Sequence, residues 1–133
     1  MTREYGKVTP EIVAELRGAA GARNVVTEDK DTMENYSYDE AGQLFGHMPD
    51  VVVRVDNTEQ VSAVMKIASK YKIPVTPRGA GSGLAGSAVP VHGGIVLSLE
   101  KMNRILEIDP VNRVAVVEPG VVTGFLGPNG AGK

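Results

Sequence analysis

Pro77-Arg78-Gly79-Ala80-Gly81-Ser82-Gly83-Leu84-Ala85-Gly86-Ser87 places four glycines in eight positions, directly after the short apolar run Ile73-Pro74-Val75. Glycine reaches φ > 0 at little cost and has no Cβ to block an approaching anion. Successive amides in such a loop can turn inward and form a concave nest for a phosphate. The expectation is a bound diphosphate, and with it a nucleotide cofactor.

The rest of the composition narrows the setting. At 133 residues the chain has room for one domain and a modest core. It is 42% hydrophobic and 23% charged, an ordinary globular balance with no run long enough to span a membrane. A net charge of −2 with interspersed signs gives no basic footprint for nucleic acid or an anionic membrane. Without cysteine, disulfides and thiolate chemistry are excluded. The first residues, Met1 to Lys7, lack the apolar stretch of a secretory signal, so the cytoplasm is the expected compartment.

Thr9-Pro10-Glu11 reads as a helix start, with Ile12, Val13 and Leu16 as its apolar face and Gly18 to Gly21 as its end. Asn24 to Thr27 suits a short strand, whereas residues 28–48 read as polar and irregular. Asp50 to Val55 is a β-branched run expected to be covered on both faces. Asn57 caps a helix over roughly 58–71, with Val61, Val64, Met65, Ala68 and Tyr71 at half-buried spacing. Ile73 to Thr76 then completes a parallel strand–helix–strand unit. Gly94 to Leu99 is a further strand, and 104–108 with 113–117 form a hairpin around Asp109-Pro110-Val111-Asn112. The class is α+β, a mixed sheet with flanking helices.

Gly81-Ser82-Gly83-Leu84-Ala85-Gly86 matches the G-x-G-x-x-G spelling of dinucleotide folds. That motif must open a helix leading to a parallel strand. Here Pro90, Gly93 and Gly94 break any helix, and the next strand begins too soon for a helical crossover. A cradle between strands remains; the plainer alternative is a tight crossing or a slack surface loop. His47 and His92 lack spaced partners for a metal or a catalytic triad, so no metal site is expected.

Residues 50–124 resemble the first half of the FAD-binding domain of the vanillyl-alcohol oxidase / p-cresol methylhydroxylase superfamily. Within it, the FAD-linked glycolate oxidase subunit and D-lactate dehydrogenase group is most similar. The matching segments are Pro49 to Val53, the helix from Thr58, Pro74 to Leu84, Leu99 to Ile105 and Val117 to Val121; Tyr36-Ser37-Tyr38-Asp39 is compatible. The resemblance implies a truncated domain of this type that binds FAD through its glycine loop. Carried over by position, the cofactor-binding set is Pro77, Arg78, Gly79, Ala80, Gly81, Ser82, Gly83, Leu84, Gly86 and Ser87. The ligating amides would come from Arg78 to Gly83, with Ser82 and Ser87 as hydroxyl donors. Met102 would lie toward the adenine, and Pro119, Gly120 and Val121 along the cofactor. Some relatives attach FAD through a histidine four residues after the loop arginine; that position is Ser82 here, which implies noncovalent FAD. Valine at Gly81 is expected to remove flavin binding by filling the anion's place.

Gly124-Phe125-Leu126-Gly127-Pro128-Asn129-Gly130-Ala131-Gly132-Lys133 matches the Walker A spelling and resembles that of ABC transporter ATPases. The Ser/Thr that would hold magnesium and the helix that would face the phosphates do not follow. The expected division is a lead-in over 1–48, the first part of an FAD-binding domain over 49–123, and an unstructured tail over 124–133. The expected role is the FAD-binding segment of an oxidoreductase acting on a 2-hydroxy acid such as glycolate or D-lactate, inactive alone, with no catalytic residue assigned. That substrate would be a partner of the full-length relative only, and further oxidase subunits are a second expected kind of partner. Two other readings stay open: an ATP-binding module suggested by the tail, and a chimeric fragment that binds nothing.

Overall fold

The computed structural model describes residues 4–121. Its first helix, α1 (Pro10–Ala20), begins where Thr9 Oγ1 accepts the Ile12 N–H at 3.3 Å. Gly18 lies inside this helix, and Gly21 alone follows its end. The longest helix, α3 (Thr58–Tyr71), is capped by Asn57 Oδ1, which accepts the Gln60 N–H at 2.9 Å. Gln60 returns the favour one residue further back, its Oε1 accepting from Asp56 N at 2.7 Å. Both helices present apolar stripes to the same side of a sheet; of the spacing-derived face on α3, only Met65 is exposed.

That sheet runs β1 (Val25–Val26), β2 (Val51–Arg54), β4 (Ile95–Ser98), β3 (Val75–Arg78). β1 is antiparallel to β2, whereas β2 and β3 both run parallel to β4 between them, so the sheet is mixed as expected. Val51 to Val53 and Ile95 to Leu97 are buried because the two central strands are covered on both faces. On one face Ile12, Leu16, Val64 and Ala68 meet Val51, Val53, Ile95 and Leu97. On the other, Met33 and Tyr36 cover Val52 and Val96.

Three details differ from the sequence reading. The strand expected at 73–76 lies two residues later, so Pro77 and Arg78 of the glycine motif are its last residues. A proline is tolerated there because β3 is an edge strand, where a missing N–H costs no ladder bond. Next, β3 and β4 are parallel although no helix joins them; the loop from 79 to 94 is itself the crossover. Last, the segment 28–48 is ordered. It holds α2 (Lys30–Glu34), capped by Asp29 Oδ1 on the Thr32 N–H, and a 3-10 turn at Gln43–Phe45. Met33 from α2 supplies the apolar anchor that spacing alone did not announce.

The hairpin of β5 (Ile105–Asp109) and β6 (Val114–Val117) forms a separate two-stranded sheet. Asp109 Oδ1 accepts from Val111 N and Asn112 N, both at 3.0 Å, and fixes the turn. Ile105, Leu106, Ile108, Val111, Val114 and Val116 are all exposed. The Walker-A-like decapeptide and its junction lie outside the described residues.

Two outcomes are expected. Leu16→Ala should lower unfolding free energy by about 3 kcal/mol, read from urea melts, because the side chain is fully buried. Ile108→Lys should reduce light scattering in concentrated solution and leave the melting temperature within a few degrees, since it interrupts an exposed apolar strand.

Candidate functional site

The C-terminal ends of the parallel strands β2, β4 and β3 lie along one edge of the sheet, at Arg54, Ser98 and Arg78 in register. In open sheets of parallel strands, ligands bind beyond this edge. The glycine loop starts there. Among the described residues, none of the backbone N–H groups from Gly79 to Ala85 donates to a protein acceptor. Gly81 is buried and Gly79 half-buried, where amides are normally paired, and the donors of Ala80 and of residues 82–85 are exposed and open to a ligand or to water.

The loop is held from the lead-in segment. Asp39, buried, accepts the Gly86 N–H through Oδ2 at 2.8 Å and the Ala41 N–H through Oδ1 at 2.9 Å. Glu40 N donates to the Gly83 carbonyl at 3.0 Å. From the other side of the loop's start, Arg78 donates through Nη1 to the Tyr38 carbonyl at 2.8 Å and through Nη2 to the Asn35 carbonyl at 3.1 Å. Gly81 sits at φ +70° directly against this guanidinium; a Cβ there would overlap Cζ and Nη2 and lie 2.8 Å from Nε. The expected reason for intolerance at Gly81 therefore changes: a side chain would strike Arg78, not an anion.

Of the residues singled out from sequence, Pro77 and Arg78 close β3, and Ala80, Ser82, Gly83, Leu84 and Ser87 are exposed on the loop. Gly79 faces Pro119, whose carbonyl oxygen would be 3.8 Å from a Cβ at Gly79. Met102 is buried beneath this point, and its carbonyl accepts the Gly120 N–H at 2.8 Å. Gly120 has no room for a side chain because a Cβ there would overlap the Leu99 and Met102 carbonyl oxygens. Gly86 is the exception within the loop, since its amide is already taken by Asp39. Val121 follows this turn, its N–H on the Glu118 carbonyl at 3.1 Å. His47 and His92 are exposed, and no metal-binding cluster is found among the described residues.

Asn35, Tyr36, Tyr38 and Asp39 were not read from the sequence as supports. An isolated Asp two residues before an Ala-Gly turn was the available signal. Tyr36 links the same segment to the sheet: its hydroxyl donates to Glu100 Oε1 at 2.6 Å and accepts from Arg54 Nε at 3.1 Å. Burial, then the bond to Glu100, raises the Tyr36 hydroxyl above its ordinary pKa.

The sequence pattern described as "FAD binding domain" matches residues 49–128. The chain belongs to this FAD-binding domain family. It is 40% identical over 123 residues to a D-lactate dehydrogenase of Anaerostipes hadrus, covering 92% of this chain and 26% of that protein. It is 38% identical over 116 residues to the glycolate oxidase subunit GlcD of Bacillus subtilis, covering 87% and 24%. The fold is similar to p-cresol methylhydroxylase with substrate bound, at TM-score 0.72 and 37% identity over 86% of this chain and 23% of that one. The chain thus spans about a quarter of the length of these relatives. The family's cofactor is FAD, and the free amides of 79–85 are donors of the kind its diphosphate requires. No helix among the described residues is long and apolar enough to cross a membrane.

Beside the site, Glu118 anchors the hairpin to the turn carrying Pro119. Its Oε1 accepts from Arg104 Nη2 at 2.8 Å and its Oε2 from Arg104 N at 2.9 Å. The Arg104 side-chain bond, then the backbone bond, hold the carboxyl below its ordinary pKa. A lowered folded pKa stabilises above the unfolded value, and that contribution disappears as pH falls through the folded one. Amide-exchange protection at the Arg104–Glu118 end of the hairpin should therefore drop below about pH 4, and Glu118→Gln should remove that part of the drop, leaving the part due to Asp109, whose carboxyl Asn112 also holds below its ordinary pKa.

Proposed function

We propose that the amides of Gly79 to Ala85 grip the diphosphate of FAD, noncovalently, and that Pro119, Gly120 and Val121 run along the same cofactor with Met102 beneath. The reading further assigns this segment to an oxidoreductase that acts on a 2-hydroxy acid such as glycolate or D-lactate. One observation carries it: an ordered loop at the C-terminal edge of parallel strands whose consecutive N–H groups have no acceptor among the described residues. Ser82 supports noncovalent attachment, because its hydroxyl does not form the flavin bond that an imidazole can. The substrate class is supported by the names of the two relatives, D-lactate dehydrogenase and glycolate oxidase subunit.

In this reading Asp39 and Glu40 fix the far half of the loop, and Arg78 fixes the near half against Tyr38 and Asn35. Preset donors stabilise an anion without reorganising when it arrives. Bound flavin would supply the hydride acceptor, and the protein would supply position and electrostatics. Ser82 and Ser87, both exposed on the loop, are the hydroxyl donors that this reading assigns to the same oxygens.

FAD added to the full chain should bind with a shifted flavin absorption spectrum, and ADP should compete. Gly81→Ala should weaken FAD at least tenfold, because the new methyl overlaps Arg78 and the residue sits at positive φ. A full chain that binds neither FAD nor ADP would overturn the assignment.

A further inference from the structure

We infer that the guanidinium of Arg78 is the buried counter-charge for the diphosphate, acting from beneath the loop while the amides act from within it; this rests on the FAD reading above. Arg78 is 8% exposed. Its partners are the carbonyls of Tyr38 and Asn35 and the face of Tyr36, whose ring centroid is 5.6 Å from Cζ. Among the described residues no carboxylate lies within salt-bridge distance of it, and Nε has no acceptor.

The contrast with the other ion pairs is direct. Arg54, on the same sheet face and 5.7 Å from the same Tyr36 ring, is paired with Glu100 at 3.3 Å. Lys70, Lys101 and Arg104 are also paired, with Glu15, Asp56 and Glu118. All four paired cations are more open to water than Arg78. Carbonyl dipoles and a π face ease the burial of a cation but leave its net charge uncancelled. A buried charge is unfavourable unless an opposite charge joins it.

The free amides of the loop give such an anion a place beside Arg78. Gly81, lacking a side chain, puts loop backbone in contact with the guanidinium, so only one thickness of main chain separates the cation from a ligand on the free amides. At such separations in a partly dry site, charge acts more strongly than in water. Ser98, in register beside Arg78, keeps a fully buried Oγ without a hydrogen-bond partner among the described residues. The buried carboxylate of the region, Asp39, is bonded to the Gly86 amide at the loop's other end and to the Ala41 amide of its own segment. The loop is thus polarised, with its positive end at the strand.

The test compares Arg78→Lys with Arg78→Gln in the full chain, since both shorten the side chain and only the lysine keeps the charge. The glutamine variant should bind FAD and ADP at least tenfold more weakly than the lysine variant, with riboflavin, which has no phosphate, bound equally by both. Equal FAD affinity in the two variants, or a parallel loss of riboflavin, would overturn the counter-charge. The unsubstituted chain gives a second measurement that needs no variant to fold. Inorganic pyrophosphate should raise its melting temperature, and sodium chloride at matched ionic strength should not. Absence of that shift also overturns the inference. Wild-type chain that binds no FAD refutes the functional reading instead, so the two failures are distinguishable.

Discussion

An anion cradle made of main-chain amides works only if something else keeps those amides pointing the right way. Here that restraint comes from forty residues upstream. Asp39 and Glu40 hold Gly86 and Gly83, and Arg78 reaches back to the carbonyls of Asn35 and Tyr38. These contacts replace the helix that would follow such a loop in a dinucleotide fold. The lead-in segment is therefore part of the candidate site's architecture, and Met33 with Tyr36 pins it to the sheet by covering Val52 and Val96.

Much of the fold was legible because local and long-range preferences agreed. Asn57 and the spacing of Val61, Val64 and Ala68 gave α3 its bounds, and Asp109-Pro110-Val111-Asn112 gave the hairpin its turn. Other features failed for identifiable reasons. α2 is only five residues long, too short for periodicity to show, and depends on Met33 finding the sheet. The parallel pairing of β3 with β4 was hidden because the usual marker, a helical crossover, is absent. Among site residues the glycines were plain, since their chemistry is local. The roles of Arg78 and Asp39 were not, because each depends on a partner about forty positions away in the chain.

The two sheets differ in how complete they are. The four-stranded sheet is covered on both faces, by α1 and α3 on one side and by the lead-in segment on the other. The hairpin leaves most of its aliphatic side chains in water and is tied to the rest through Glu118, Arg104 and the turn at Gly120. An apolar two-stranded ribbon is marginal by itself. Relatives about four times as long have ample chain to cover it.

Pro77 has a further effect beyond ending the strand that leads into the cradle. A fifth strand docking beside β3 would need a proton from that nitrogen, and the pyrrolidine ring has none to give. At the opposite border, β1 is only two residues long and offers almost nothing to pair with. The main sheet is thus self-limiting in width: both of its lateral edges resist recruitment of stray polypeptide.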